Sequence, residues 1–457
     1  MRRLVQGLSA VTLLVLPSAV HAGEGSVQFT PAAPAADQNR GAWWTVLGDD
    51  TLNGLESRLE ANSPSLKIAL HRYDQARAYL GMATSDQSPH ADLVGAGTAN
   101  RQSDLRPLRG SNQPDQYAAN TLGGLLAYEI DLWGRVRQEI AAGKAEVAAR
   151  KDDVLSLGLS LQAELAIDYA RLRATDADLA ILSATTDAYR KVYALIDARH
   201  KGGVASGVDL ARAETQVKTV AAQTEDASAT RALYEHAIAV LIGEDPRGFH
   251  LARAPVRLKM AEVPVEVPSD LLQRRPDIAA AEARVAEANA LVGLARKAFY
   301  PQVSISAALG FQNTGQAGLF GYGNRFWSVG PSADLPVFDG GRRTGVVNAA
   351  RAQRDIVVQN YRQTVLNAFQ DVSDNLALID RLGAEAQDQS EAVRSARLAQ
   401  SLSLIRYQKG AVTFLETAIS EAAALQADRA YLQIEERRLE ASIRLIRAIG
   451  GDWRTGA

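Results

Sequence analysis

Hydrophobic and polar positions alternate in four segments of the chain, as they do in β-strands. From Gln302 to Gln312 and from Phe326 to Phe338, nearly every second residue is apolar and the residues between are mostly small or polar. Ala91 to Gln102 and Asn120 to Asp131 show a weaker alternation. Period two gives each strand one apolar face and one polar face. At 11 to 13 residues, the two regular segments fit tilted strands that cross a membrane, although a half-buried hairpin of a soluble protein would alternate in the same way.

Two long segments have the composition of α-helices. No proline occurs between Pro114 and Pro246 or after Pro336, and both stretches are rich in strong helix formers such as Ala, Leu, Arg, Glu and Gln. We predict one continuous helix from Gly134 to Lys201, about 100 Å long at ~1.5 Å per residue. A counterpart is predicted from Gly341 to Lys409. Helices of this kind would also suit a plain coiled-coil rod.

Each long helix is followed by a turn and a predicted returning helix, which together form a helical hairpin. A glycine closes the first helix, a hydroxyl residue caps the second, and an acid follows three residues later, where the acid of a capping box lies. These residues are Gly203, Ser206 and Asp209 in the first turn and Gly410, Thr413 and Glu416 in the second.

The chain contains two copies of one unit. Gly134 and Gly341 are 207 residues apart, whereas Pro64 and Pro276, further upstream, are 212 apart. The change in spacing is confined to one stretch, which suggests a loop that tolerates changes in length. The predicted divisions are a signal peptide at 1–22, an N-terminal tail at 23–50, a first repeat at 51–243, a linker at 244–268, a second repeat at 269–450 and a C-terminal tail at 451–457.

Composition and motifs narrow the class of protein. Arg2 and Arg3 followed by an apolar stretch and Ala22 predict a secretory signal and export. No cysteine is present, so we expect no disulfide, thiolate metal site or acylated N-terminal cysteine. A net charge of −2 does not favour a nucleic-acid partner. The chain has no P-loop, no Gly-x-Ser-x-Gly and no His-Glu-x-x-His, so we expect no catalytic site, no cofactor and no metal.

The predicted strands run directly into the predicted long helices. After the signal segment, no apolar run approaches ~20 residues, so only the strands could enter a membrane. Four strands cannot close a barrel, so several chains would have to share one. The junction residues are Asp131, Gly134 and Arg135 in the first copy and Asp339, Gly341 and Arg342 in the second. A carboxylate suits a helix start, but an arginine opposes the helix dipole, so either a phospholipid headgroup or a carboxylate holds each arginine, or the arginine is simply exposed.

The chain resembles the TolC-type outer-membrane efflux proteins of the OprM/NodT subgroup, from about Trp43 to Trp453. The motifs that carry the resemblance are Tyr-Glu-Ile-Asp-Leu-Trp-Gly-Arg at 128–135, Pro-Ser-Asp-Leu-Leu-Gln-Arg-Arg-Pro-Asp-Ile at 268–278, Ala-Phe-Tyr-Pro at 298–301, Leu-Pro-Val-Phe-Asp-Gly-Gly-Arg at 335–342 and the turn at 406–413. The resemblance implies a mainly α-helical protein with a transmembrane β part. Three chains would form a 12-stranded barrel in the outer membrane of a Gram-negative bacterium and an α-helical periplasmic tunnel. The stretch from Asp245 to Pro276, together with the N- and C-terminal tails, would form an equatorial collar.

The resemblance also implies a passive exit duct for small molecules. Its tips would dock a periplasmic membrane-fusion adaptor and an inner-membrane pump of the RND type, and outer-membrane lipid would surround its barrel. Two alternatives remain, an exit duct for type I protein secretion and a soluble periplasmic coiled-coil scaffold. The chain departs from the family in reading Ala-Ile-Ser-Glu-Ala at 418–422, without the usual aperture aspartate and arginine. The remaining aperture candidates are Arg406, Tyr407, Leu415, Glu416 and Asp209, which could equally serve hairpin packing.

Overall fold

The computed structural model of the protein describes residues 42–103, 115–254, 258–260, 275–315 and 318–451. The predicted signal peptide, most of both predicted tails and parts of the predicted linker lie outside these residues.

Seven α-helices account for most of the described chain. They are α1 (Asp50–Asn62), α2 (Pro64–Ser85), α3 (Arg135–Lys201), α4 (Gly207–Leu241), α5 (Pro276–Lys297), α6 (Arg342–Gln408) and α7 (Phe414–Ala448), and a short 3-10 helix at Trp43–Leu47 precedes them. The two long helices, α3 and α6, each have 67 residues without a break, which confirms that part of the prediction. Gly134 and Gly341 precede them with φ of 80° and 89°, a left-handed conformation that glycine adopts without strain.

Four strands form one antiparallel sheet in the order β1 (His90–Arg101), β2 (Gln116–Glu129), β3 (Gln302–Asn313) and β4 (Arg325–Asp334). The prediction was wrong at two strand ends. β4 stops at Asp334 instead of Phe338, because Pro336 has no N–H to continue a ladder. β2 begins earlier than predicted, since Gln116 pairs with Arg101. Pro331 is tolerated inside β4, which is an edge strand within the chain.

The register sorts the side chains of the sheet into two faces, because residues directly opposite each other share a face. One face is apolar and continues across all four strands, and the other carries serine, threonine, asparagine and acidic side chains. On the apolar face, Leu93 opposes Gly124, Gly124 opposes Leu309 and Leu309 opposes Trp327. On the polar face, the Ser304 and Ser332 hydroxyls are 2.8 Å apart. The predicted alternation is therefore present in the folded sheet.

Equivalent elements of the two copies keep the two spacings found in the sequence. α3 and α6 begin 207 residues apart, at Arg135 and Arg342, and α4 and α7 keep the same interval. α2 and α5 begin 212 residues apart, at Pro64 and Pro276, and β1 and β3 also keep this interval. The difference in length therefore lies between the end of the first strand and the start of the long helix in each copy.

Helix α3 is central to the packing within the chain, since α2, α4, α5 and α7 all pack against it. The largest apolar cluster gathers α1, the middle of α3 and the ends of α4 and α7 around Trp43, Leu52, Leu165 and Tyr169. Within the described ranges, none of the helices is both long enough and apolar enough to span a bilayer.

Candidate functional sites: the helical tips and the strand–helix junctions

The first tip is the turn between α3 and α4. Gly203 has a φ of 75°, and the Val204 amide donates back to the Arg199 carbonyl at 2.9 Å, which satisfies the carbonyls at the helix end. The Ser206 hydroxyl accepts from the Asp209 amide at 3.2 Å and donates to an Asp209 carboxylate oxygen at 2.9 Å. The predicted cap on α4 is confirmed.

The second tip, between α6 and α7, repeats the first half of this arrangement but not the cap. Gly410 has the same φ of 75°, and the Ala411 amide donates to the Arg406 carbonyl at 2.9 Å. Thr413 lies at the N-cap of α7 but makes no side-chain capping hydrogen bond, so this part of the prediction was wrong. The acid that would complete the cap, Glu416, instead accepts from Arg406 Nη1 at 3.1 Å, across the hairpin.

The first tip packs against the aromatic pair of the second tip, Tyr407 and Phe414. The Tyr407 ring meets the Phe414 ring edge to face at 5.8 Å, and the Arg199 guanidinium lies 5.0 Å from the Tyr407 ring centre. Arg199 also donates to the Gln408 carbonyl at 3.3 Å. The aperture candidate Tyr407 is therefore buried between the hairpins, with Ile196 of the same cluster.

The other aperture candidates lie on the surface of the tips. Arg406 and Glu416 are about half exposed, Leu415 is exposed and Asp209 is partly buried. An exposed ion pair such as Arg406–Glu416 contributes roughly 0–1 kcal/mol to stability, so its conformation is free to change at small cost.

A buried carboxyl group close to the second tip was not predicted from the sequence. Glu421 is only 3% exposed, and one of its carboxylate oxygens has no hydrogen-bond partner. Burial raises the pKa of Glu421 to about 7. Burial, followed by the nearby Glu421 carboxyl, raises the pKa of Tyr189 on α3 to about 12. The helical spacing indicates that Glu421 is on the buried side of α7, because it lies on the helix face that also buries Thr417 and Ala424.

At the first strand–helix junction, carboxylates hold the two arginines. Arg135 donates to both oxygens of Glu129, at 2.8 and 2.9 Å, and to Glu139 at 3.1 Å. This confirms the carboxylate alternative for Arg135. Asp131 accepts from the Arg137 amide at 3.0 Å and from its Nε at 3.2 Å. Although its partial burial raises the pKa of Asp131, these hydrogen bonds outweigh burial and leave the pKa below its usual value.

The second junction uses a different arginine from the one predicted. Asp339 accepts from the Gly341 amide at 3.0 Å and from the Arg343 amide and Nε at 3.1 and 2.6 Å. The Arg343 side chain, followed by the backbone hydrogen bonds, lowers the pKa of Asp339. Arg342 itself is exposed, and in the part of the chain that the structure describes no carboxylate holds it. Among the described residues, no group of three or more His, Asp or Glu is placed to hold a metal ion.

Comparison with known proteins identifies the family. The family model described as "Outer membrane efflux protein" matches residues 55–244 and 267–451, which is most of both copies. The chain belongs to the outer membrane efflux protein family. Membership makes it a channel component and not an enzyme, and the predicted resemblance to OprM-like efflux proteins is confirmed.

Individual members of the outer membrane efflux protein family match along nearly the whole chain. Outer membrane protein OprJ of Pseudomonas aeruginosa is 30% identical over 442 residues, covering 93% of this chain and 92% of OprJ. The toluene efflux pump outer membrane protein TtgI of Pseudomonas putida is 30% identical over 407 residues, covering 87% of this chain and 84% of TtgI. The solved structure of the outer-membrane channel OprN has a TM-score of 0.85 at 28% identity, covering 93% of this chain and 98% of OprN.

Proposed function

We propose that this protein is the outer-membrane exit duct of a tripartite efflux pump. The observation that carries the proposal is the full-length match to outer-membrane efflux proteins in a chain whose sheet has one apolar and one polar face. The apolar face would meet lipid, and the polar face would line a wet passage that continues between the long helices. Energy would come from the partner pump, so the duct itself needs no catalytic residue.

We further propose that the duct is a trimer, and a comparison of the two copies supports a shared assembly. Ile356 on α6 is 53% exposed, whereas its equivalent on α3, Ala149, is 2% exposed because α5 packs there. Leu366 is likewise exposed where Leu159 is buried. The chain thus leaves open on α6 the surface that it covers on α3.

The complementary surface is on α2, whose equivalent in the second copy is α5. Ile68 on α2 is about half exposed, whereas its equivalent Ala280 on α5 is buried against α3. If α2 of a second chain packs on α6 as α5 packs on α3, the interface between chains has the same geometry as the interface between the two copies within a chain. This arrangement between chains would also pair β4 of one chain with β1 of the next, which leaves no open edge on the sheet. Three chains would supply 12 strands.

We infer the cargo and partners from the relatives. TtgI is named as the outer membrane protein of a toluene efflux pump, and SrpC of Pseudomonas putida as that of a solvent efflux pump. We therefore propose small, largely apolar toxic molecules or drugs as cargo, and an adaptor and an inner-membrane pump of the RND type as partners. The signal peptide at 1–22 and the outer-membrane lipid contact remain predictions.

The membrane role is tested by placing an arginine on each face of β3. Leu309 is exposed on the apolar face, and Ser306 is exposed on the polar face. We expect Leu309→Arg to cost roughly 2–4 kcal/mol near the bilayer midplane and to reduce the assembled outer-membrane protein. Ser306→Arg, the matched control, should assemble and alter conductance only.

The readouts are the amount of outer-membrane protein and the toluene tolerance of a Gram-negative strain that lacks its own exit duct. Normal assembly of Leu309→Arg in a soluble periplasmic fraction would favour the scaffold alternative. Rescue of protein secretion without rescue of toluene tolerance would favour type I secretion.

We also propose that Arg406, Glu416 and Leu415 line the closed aperture. Their exposure on the second tip and the ion pair across its hairpin support this. Arg406→Ala should raise the ion leak through the channel reconstituted in a planar bilayer, and Arg394→Ala, which removes another exposed pair on α6, should not. Unchanged leak in Arg406→Ala would remove this pair from the aperture.

The tip turns at Gly203 and Gly410, with their flanking Ser206 and Thr413, are the proposed adaptor-docking surface. The left-handed glycines leave open space around each turn. Asparagine tolerates this conformation, whereas valine does not. Gly410→Asn should therefore keep the turn and add only a side chain. Loss of adaptor co-purification with Gly410→Asn would indicate docking at the turn, and intact co-purification would leave the glycine as a helix terminator.

A further inference from the structure

Three helix ends meet at one level, where the sheet joins the long helices. The Tyr300 ring, just after α5, stacks on the Trp133 ring, just before α3, with the ring centres 5.2 Å apart. The Arg343 guanidinium, in the first turn of α6, lies 5.2 Å from the centre of the Phe299 ring. The end of α5 therefore lies beside the starts of both long helices. We call this level the junction belt, formed by residues 129–137, 296–302 and 339–343.

Three cations of the junction belt are neutralised by carboxylates. The pairs are Arg135 with Glu129, Arg137 with Asp131 and Arg343 with Asp339, at N···O distances of 2.8, 3.2 and 2.6 Å. These three arginines hold the chain at the change from strand to helix, and the paired carboxylates already balance their charge.

Three further cations of the belt have no carboxylate partner in the described chain: Arg296, Lys297 and Arg342. Lys297 Nζ lies 5.5 Å from the centre of the Tyr300 ring, and Arg296 and Arg342 are exposed. Arg296 and Lys297 belong to the last turn of α5, where the helix dipole favours a cation. Arg342 begins α6, where the dipole disfavours a cation. Helix electrostatics therefore leaves Arg342 unexplained.

The junction belt also carries exposed aromatic and apolar side chains. Phe299, Tyr300 and Trp133 are each nearly half exposed, and Leu132 is more exposed still. Rings with one apolar and one polar end are enriched at the boundary between a bilayer and water. The apolar face of the sheet begins one step further on, at Val303, so the belt lies at the edge of the proposed lipid-facing surface.

We propose that Arg296, Lys297 and Arg342 bind the phosphate of an anionic phospholipid in the periplasmic leaflet, with Tyr300 and Trp133 at the depth of its headgroup. The three cations, which have no carboxylate partner in the described chain, would bind the negatively charged phosphate, and the two rings would contact the acyl chains next to it. This inference rests on the proposed function, because it requires the sheet to span the outer membrane.

The test compares lipid binding by three forms of the full chain. One variant combines Arg296→Gln, Lys297→Gln and Arg342→Gln. The matched control removes three exposed cations on α3 and α4, combining Lys191→Gln, Arg212→Gln and Lys218→Gln. Native mass spectrometry in detergent measures the apparent affinity for phosphatidylglycerol and for phosphatidylcholine with the same acyl chains. A parallel titration uses inorganic phosphate at matched ionic strength, and flotation with vesicles of each lipid measures membrane insertion.

Each basic residue near an anionic surface contributes about fivefold to binding. We expect the wild type and the control to prefer phosphatidylglycerol by roughly tenfold or more, and the belt variant to lose most of that preference. Equal preference in the belt variant, no preference in the wild type, or displacement of the lipid by inorganic phosphate would overturn the proposal. Failure of the wild type to float with either vesicle would contradict the proposed function as well, whereas flotation without preference would contradict this inference alone.

Discussion

At the scale of single residues, Glu421 is the least expected group in the tip region. Its equivalent in the first copy, Glu214, is exposed, so the same position carries a carboxyl group in two different environments. Tyr189 of α3 faces Glu421. Because a buried carboxylate loses its hydration, the neutral acid is favoured in the fold and the pKa is raised to about 7 from about 4.5.

We predict that Glu421 makes the protein less stable as pH rises. The folded state holds the proton more tightly than the unfolded state, so stability is highest below pH about 4.5, falls as pH rises to about 7 and is then constant. Glu421→Gln should remove this fall and gain up to about 3 kcal/mol above pH 7. The measurement is the midpoint of thermal unfolding of the detergent-solubilised protein from pH 4 to pH 8. Glu214→Gln is the control, and equal pH profiles for wild type and Glu421→Gln would refute the prediction.

At the scale of elements, the two tips show how similar sequences reach different local structures. Both turns have a glycine with φ of 75°, but only Ser206 caps its helix. We predict that Ser206→Ala destabilises the start of α4 by about 1 kcal/mol and that Thr413→Ala leaves the start of α7 nearly unchanged. Amide hydrogen exchange of the first turn of each helix checks this. Similar acceleration in both variants would show that Thr413 also caps its helix in solution.

The sequence was sufficient to predict the helices and strands but not the ion pairs between them. Helix lengths and strand faces follow from local patterns of period 3.6 and period 2, which act over a few neighbouring residues. The partners of Arg137 and Arg343 depend on how the chain turns at Gly134 and Gly341, which no pattern specifies. The spacing places Glu421 on the buried face of α7, but the packing of α3 from the other copy, which covers that face, is not a local pattern.

At the scale of the whole molecule, the duplication produces contacts between copies as well as within them. Arg429 on α7 donates to both oxygens of Asp178 on α3, at 2.8 and 2.9 Å. Arg284 on α5 donates to Asp153 on α3 at 2.6 Å. A two-pronged pair such as Arg429–Asp178 fixes orientation as well as distance, whereas Arg284 reaches Asp153 through one nitrogen. These ion pairs therefore fix the two copies relative to each other within the chain. The apolar surfaces that stay exposed on α6 and α2 indicate contact with a further chain.

The assembly prediction follows from the apolar surface that one copy covers and the other leaves open. Ile356→Asp places a charge where α2 of a neighbouring chain is proposed to pack, so we expect the trimer to give way to monomers. Leu398→Asp is the control, because Leu398 on α6 is also exposed and apolar but its equivalent on α3, Lys191, is itself exposed and is not covered by the other copy. Mass measured by light scattering in detergent separates the two results. A trimer that persists in Ile356→Asp would mean that the chains associate through another surface. It would refute the proposal that the packing between chains repeats the packing within a chain. Loss of the trimer in Ile356→Asp alone would show that the interface between chains repeats the packing of α5 on α3.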